Sequence, residues 1–202
     1  MDVVQALAEM PFIAGHVALD FVNTAEERGH PDAGDVLITP ADLRLWGRRY
    51  GLISSSAPAG SKEDEQAELD RAREARELLY AIFFANVHGA APSEDQLAQL
   101  ARFLTAAYDA GTLQPAEDGS LRWKWSPSEL ATVRHLAVAG AVDLLRSNPS
   151  TRLKQCPGKH CGWFFLDTTK RGNRRWCSMS ECGQEAKDQR RRANAKGIPR
   201  HP

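Results

Sequence analysis

The sequence predicts an α+β fold: a helix-rich N-terminal domain with short strands and a β-hairpin, followed by a small cysteine-bearing module. Three observations lead there. Apolar residues recur at three- and four-residue steps in several segments before residue 147, as amphipathic helices require. One short stretch alternates apolar and basic residues beside an Asp-Gly pair, the pattern of a hairpin. All four cysteines fall between residues 156 and 182, after the helical period has stopped. The 202 residues suffice for one domain plus a module, and 42% apolar content is ordinary for a chain with a core.

Taken in order, Phe12 to Val22 mixes apolar and small residues without helical period. It reads as one or two short strands, ended by Asn23 and Thr24, which suit a turn or a cap. Residues 25–36 read as a polar loop. Thr39 as N-cap and Pro40 at the first position start a short helix, and Gly51 ends it. After the flexible "SSSAPAGSK", the longest helix is expected from about Lys62 to Val87. Its first turn is acidic, which suits the positive end of the helix dipole, and Leu69, Ala72, Arg76, Leu79 and Phe83 form its buried stripe. Ser93 caps a second long helix, from Glu94 to Ala110, with Leu97, Leu100, Leu104 and Tyr108 inward. Asp118-Gly119 marks the hairpin turn. Leu121, Trp123 and Trp125, alternating with Arg122 and Lys124, predict a strand with one buried face. Ser126-Pro127 with Glu129 opens a third long helix to about Arg146, which Asn148-Pro149 stops. Periodicity ends and charge changes sign there, so the expected units are residues 1–147 and 152–196.

The zero net charge hides an asymmetry. Residues 1–150 hold 13 Lys+Arg against 22 Asp+Glu, a balance of −9; residues 151–202 hold 13 against 4, a balance of +9. An acidic body with a basic appendage points to a polyanionic partner. The plainer reading is a solubilising tail.

The cysteines form two matched pairs, Cys156-x4-Cys161 and Cys177-x4-Cys182. A structural zinc ion takes four soft ligands in a tetrahedron at about 2.3 Å, and two close pairs supply them from two tight turns. Pro157 and Gly158 suit the first turn. The 15 residues from Gly162 to Trp176 leave room for a hairpin, "WFFLD" going out and "RRWC" returning. A helix then follows the last cysteine. That outline is a treble-clef-like zinc finger, with Zn2+ held by Cys156, Cys161, Cys177 and Cys182. So small a region has too little apolar surface to fold unaided, and the metal supplies the difference. The alternatives are free or redox-active thiols and disulfides. His160 could compete as a ligand, but Cys161 restores the matched spacing. A closed four-thiolate shell leaves no place for a water nucleophile.

The last helix is expected from near Glu181 to about Ala195. Lys187, Arg190, Arg191 and Asn194 fall on one side of it, with Arg192 adjacent. Arg174 and Arg175 come from the returning strand, Lys170 and Arg171 from its tip. With the metal and its thiolates counted as about −2, the module keeps about +7, the footprint of a duplex-DNA binder. RNA is the less favoured nucleic acid, with Trp163, Phe164 and Trp176 as stacking surfaces. A solvated helix face is the bland alternative.

The front domain shows no catalytic arrangement: His16, His30, His88 and His135 are scattered and phosphate-binding glycine loops are absent, so no enzyme is expected. Asp20 and Asn23, set among apolar residues, are a possible ligand pocket, local hydrogen bonding being the plainer reading. Trp46, Trp123 and Trp125 are expected in the core. "MDVVQALAEMPF" lacks the basic start of a signal peptide, and the longest apolar runs fall short of a membrane span of roughly 20 residues, so a cytoplasmic protein without membrane partners is expected.

"CGWFFLD", "RRWCSM" and "CG…AK…RR" resemble the bacterial CGNR zinc-finger proteins, and "ALDFVNT" resembles the opening motif of the ABATE domain that precedes the finger in that family. The resemblance covers nearly the whole chain. It implies a stress-induced transcription regulator, with the finger on DNA and the front domain sensing a small-molecule effector or dimerising. One departure stands out: Gln184-Glu185 occupies the place where the family usually has Asn-Arg. An anion there favours the helix dipole but repels phosphate. Because one finger buries only about 600–1,000 Å² on DNA, a homodimer is expected. A small-molecule binder with a purely structural finger, and a protein-interaction module, are the alternatives from other classes.

Overall fold

A 26-residue helix, α4 (Lys62–Val87), is the longest element among the described residues. The computed structural model describes residues 3–26, 28, 34–147 and 152–195. In chain order the remaining elements are α1 (Val3–Glu9), α2 (Val17–Val22), α3 (Pro40–Arg49), α5 (Glu94–Asp109), strands β1 (Thr112–Pro115) and β2 (Leu121–Lys124), α6 (Thr132–Arg146), β3 (Leu153–Gln155), β4 (Phe164–Leu166) and α7 (Gln184–Ala195). β1 pairs with β2 and β3 with β4, both antiparallel. The architecture is therefore α+β, with helices dominant and two small hairpins. Among the described residues no helix is long and apolar enough to cross a membrane.

Local chemistry sets the ends of the long helices. Ser61 caps α4 and Ser93 caps α5, each accepting from a backbone N–H three residues on. Thr39 does the same for α3, and the Asp42 carboxylate returns the bond to the Thr39 N–H. The expected stripe of α4 is buried throughout. It faces α2, α3, α5, α6 and β3. Two charge pairs brace it from inside. Arg134 of α6 grips Glu68 through Nε and Nη2 at 2.7 and 3.0 Å, and Arg76 grips Asp35 through Nη1 and Nη2 at 2.7 and 2.6 Å. Bidentate geometry matters here, because a buried pair with one partner removed leaves an uncompensated charge.

Five expectations are corrected. The stretch to Val22 does not make strands; Gly15, at φ +80°, turns the chain, His16 accepts from the Ala18 N–H, and α2 follows. Ala18 to Val22 are all buried, so no polar face reveals the helical period. Leu97 is half exposed rather than inward. The β1–β2 hairpin has its Asp118-Gly119 turn but no buried face: Leu113, Leu121 and Trp123 remain exposed, although Trp123 leans on Tyr108 at 4.7 Å between ring centroids. Trp46 is in the core, whereas Trp125 is only half buried and donates from Nε1 to the Ala107 carbonyl at 2.6 Å. Finally, α6 starts at Thr132, later than the Ser-Pro signal suggests, and no side chain caps it; the Thr132 hydroxyl instead ties back to the Ser126 carbonyl at 2.6 Å. Asn148 and Pro149, expected to stop it, lie outside the described residues.

One core serves both parts of the chain. Phe21, Trp46 and Phe83 are wholly buried, and so is Phe164 from β4, whose ring lies 5.4 Å from that of Tyr80 and 5.9 Å from that of Phe83. Leu153 of β3 joins the same cluster. The cysteine module is thus seated on α4 by its own strands.

Candidate metal centre

β3 and β4 carry the first cysteine pair between them. In register, Leu153 faces Leu166 and Gln155 faces Phe164. The ladder continues as the Cys156 N–H donates to the Trp163 carbonyl at 2.7 Å, so Cys156 leaves β3 in a fixed direction. The turn then closes with the Cys161 N–H on the Gly158 carbonyl at 3.1 Å. Gly158 lies in a tight space: a Cβ there would lie 3.0 Å from both Cys161 Cβ and Cys182 Sγ, so a side chain would push on the ligand turn. The strands thus flank the first knuckle. The expected hairpin between the two pairs, with "RRWC" as its returning strand, is not what forms; residues 173–175 have no strand structure. The reason is Asp167. Buried at the end of β4, it accepts from Lys154 Nζ at 2.7 Å, from the Thr169 N–H and hydroxyl, and from the Arg174 N–H at 2.7 Å. It therefore folds the connection onto itself. Burial alone would raise this carboxyl, but those bonds together hold it well below the usual carboxylate range.

The second pair sits at the start of the last helix. A π-type turn, Met179–Gly183, leads directly into α7, with the Gly183 N–H on the Ser178 carbonyl at 3.0 Å. Cys177 precedes that turn and Cys182 lies within it. A Cβ on Gly183 would meet Met179 Sδ at 2.8 Å, so this glycine lets the turn tighten.

All four cysteines are free thiols, and their Sγ atoms lie within 4.8 Å of one another. Cys161 and Cys177 are 3.5 Å apart, Cys177 and Cys182 3.7 Å. Four sulfurs at about 2.3 Å from one tetrahedral centre are about 3.8 Å apart. The donor set therefore fits zinc in spacing as well as in chemistry. Among the described residues this is the single cluster able to hold a metal, and His160 is not in it. The crowded sulfurs shift one another: hydrogen bonds from Cys161 and Cys177 lower the Cys156 thiol, the Cys161 and Cys177 thiols that donate to it are raised, and burial raises Cys182. Four thiolates this close need a positive charge among them. Bound zinc would supply that charge and close the shell, serving structure.

The basic residues divide by environment. Lys170, Arg171, Arg175, Lys187, Arg190, Arg191 and Arg192 are exposed. α7 buries no residue at all. Among the described residues the ion pair on these cations is Arg191 with Asp188, at 3.7 Å. Arg174 is different, and its expected place on a nucleic-acid surface is corrected. Its guanidinium donates to the carbonyls of Trp176 at 3.0 Å, of Cys177, and of Ile13 at 3.2 Å, and it lies 4.5 Å over the Phe165 ring. It is a strut between the finger and the front domain. Phe164 as an RNA-stacking surface is likewise corrected, since it has no exposed surface.

Asp20 and Asn23, read as a possible ligand pocket with local hydrogen bonding as the plainer reading, are 1% and 2% exposed and hold backbone. The Asn23 amide donates from Nδ2 to the Phe164 carbonyl and accepts at Oδ1 from the Phe164 N–H, both at 2.9 Å. It thereby acts as a third strand for β4. Asp20 accepts from the Ala14 N–H at 3.0 Å and from the Tyr50 hydroxyl at 3.2 Å, and burial raises its carboxyl to about 6. Sequence reasoning missed the Asn23 bracket, the Asp167 hub and the Arg174 strut. The available signal was a polar residue closing an apolar run, in "DFVNT" and again in "WFFLD".

Two family models match the chain. The one for ABATE, described as "Putative stress-induced transcription regulator", matches residues 15–148, and the one for the CGNR zinc finger matches residues 152–195. No curated protein matches it.

Proposed function

The chain belongs to the ABATE family and carries a CGNR zinc finger, and on that premise we propose that it regulates transcription by gripping duplex DNA with the finger. The observation that carries this reading is the zinc-ligating turn running straight into α7. Cys182 lies in the π-type turn, so the metal sets the direction in which Lys187, Arg190 and Arg191 project. Lys170, Arg171 and Arg175 extend the same exposed positive charge over the finger. Helices of this kind place guanidinium groups on phosphates and on guanine edges. Glu185, in the first turn of α7, is itself exposed and accepts from Gln189 at 2.9 Å, which keeps phosphate contact toward the later turns. The front domain serves as regulator in this reading. The exposed hairpin favours a second copy as its partner: Leu113 faces Trp123 and Pro115 faces Leu121, so the four share one apolar face.

Anisotropy of a labelled duplex, titrated across salt concentrations, tests the DNA contact. Each lost phosphate contact lowers the log–log salt slope by about 0.9, so Arg190→Ala with Arg191→Ala should flatten it by about 1.8. An unchanged slope would move the contact off α7. For the dimer, sedimentation should show Leu121→Glu as a monomer beside a dimeric parent. A parent that stays monomeric at micromolar concentration with DNA present removes the second copy.

A further inference from the structure

The cleft between α4, α5 and α6 is lined at odds with the charge of the domain around it. The front part of the chain is strongly acidic. Yet Arg71, Arg102 and Arg134 all line one cavity of about 460 Å³, with Phe103 beside them and Glu74 as the lone carboxylate in the wall. A cavity of about 300–1,000 Å³ suits a small ligand.

The three guanidinium groups are held differently. Arg134 is 6% exposed and immobilised: Nε and Nη2 are committed to Glu68, and its guanidinium lies 5.8 Å from the Phe103 ring. That fork occupies Glu68 and leaves Arg134 Nη1 without a protein acceptor among the described residues. Arg71 reaches the already engaged Glu68 only at 3.7 Å, with its side chain 59% exposed. Arg102 is exposed and has no ion pair among the described residues. One unpaired cation, Arg102, and an exposed one held only by a long ion pair, Arg71, therefore overhang a floor made rigid by a third, next to an aromatic face. A fork of guanidinium donors matches the two oxygens of a carboxylate, and a preorganised donor loses less on binding.

We propose that this cleft binds a small aromatic carboxylate, its two oxygens among Arg71, Arg102 and the free Nη1 of Arg134 and its ring against Phe103. Binding at this site does not depend on the DNA reading; combined with it, the ligand is the effector that the front domain senses.

Calorimetric titration of the full, zinc-loaded chain, with no nucleic acid present, tests the site. Benzoate should bind saturably at one site per chain. Benzamide, which keeps the ring and loses the charge, should bind at least about tenfold more weakly, and Arg102→Gln and Arg71→Gln should each weaken benzoate by about tenfold. Both arginines are exposed, and unchanged melting temperatures without ligand will show that the variants fold. No benzoate binding at millimolar concentration overturns the proposal. So do equal affinities for benzoate and benzamide, equal affinities for benzoate and inorganic phosphate, or unchanged benzoate binding in both variants. Because DNA is absent, failure here leaves the finger reading intact, and failure of the finger to bind DNA leaves this site intact.

Discussion

Asn23→Ala should loosen the zinc finger and the front domain together. The side chain satisfies both the N–H and the carbonyl of Phe164, each at 2.9 Å, at a position 2% exposed. Truncation leaves two buried backbone groups without partners, at about 1–3 kcal/mol each, hence about 2–6 kcal/mol together. For a chain of this size each kcal/mol moves the melting temperature by about 2–4 °C, so the midpoint should fall by roughly 10 °C. Asn23→Asp should not rescue, because a carboxylate would face the Phe164 carbonyl. The assay is one thermal melt read twice: near-ultraviolet circular dichroism for the aromatic core, and a metallochromic dye for released zinc. Both signals should shift down in step, since the Phe164 ring lies between the finger and α4. A midpoint within about 2 °C of the parent, below what even 2 kcal/mol would produce, refutes the bracket. Zinc release that moves alone refutes the shared core.

Two further outcomes follow from the metal centre and from the buried acid. Cys177→Ser should lower the zinc content from one per chain to a small fraction, by elemental analysis of dialysed protein, and lower the melting temperature of the whole chain; retained stoichiometry would mean that the four sulfurs do not share the ion. Asp20, raised to about 6 by burial from an ordinary 3.8, favours the fold when protonated. That stabilisation is complete below the unfolded value and is lost as pH rises through about 6. Near pH 7.5 the charged form costs about 3 kcal/mol at 1.36 kcal/mol per unit. Asp20→Asn should therefore be the more stable protein at pH 7.5 and lose that advantage by about pH 4. His135, lowered to about 4, and His16, also lowered, destabilise in the opposite sense as acid is added. The difference between parent and variant in urea unfolding isolates Asp20, and a difference that does not vary with pH would refute its assignment.

Much of the fold was legible because its signals are local. Thr39, Ser61 and Ser93 announce helix starts through the hydroxyl each offers the backbone, and α4 shows its stripe because one face meets water. The four cysteines were legible for the same reason: their spacing is a property of two short turns. α2 was not legible, since burial on every side erases the contrast that periodicity needs. Nor was the partner of β4. Strand pairing joins 153–155 to 164–166 across the first knuckle, and Asp167 beyond β4 collects Lys154, Thr169 and Arg174, contacts that no local pattern announces. Arg174 and Arg175 are neighbours of one type, yet one braces backbone carbonyls and the other faces solvent. Charge alone does not say which cation the fold has already used.

Phe164 belongs at once to the strand that positions the first cysteine pair and to the packing around Tyr80 and Phe83. Metal that binds only the native chain shifts its folding equilibrium by mass action. A cell starved of zinc would therefore not retain a disarmed front half. The front half would lose stability with the finger, so the abundance of this protein should itself follow the zinc supply.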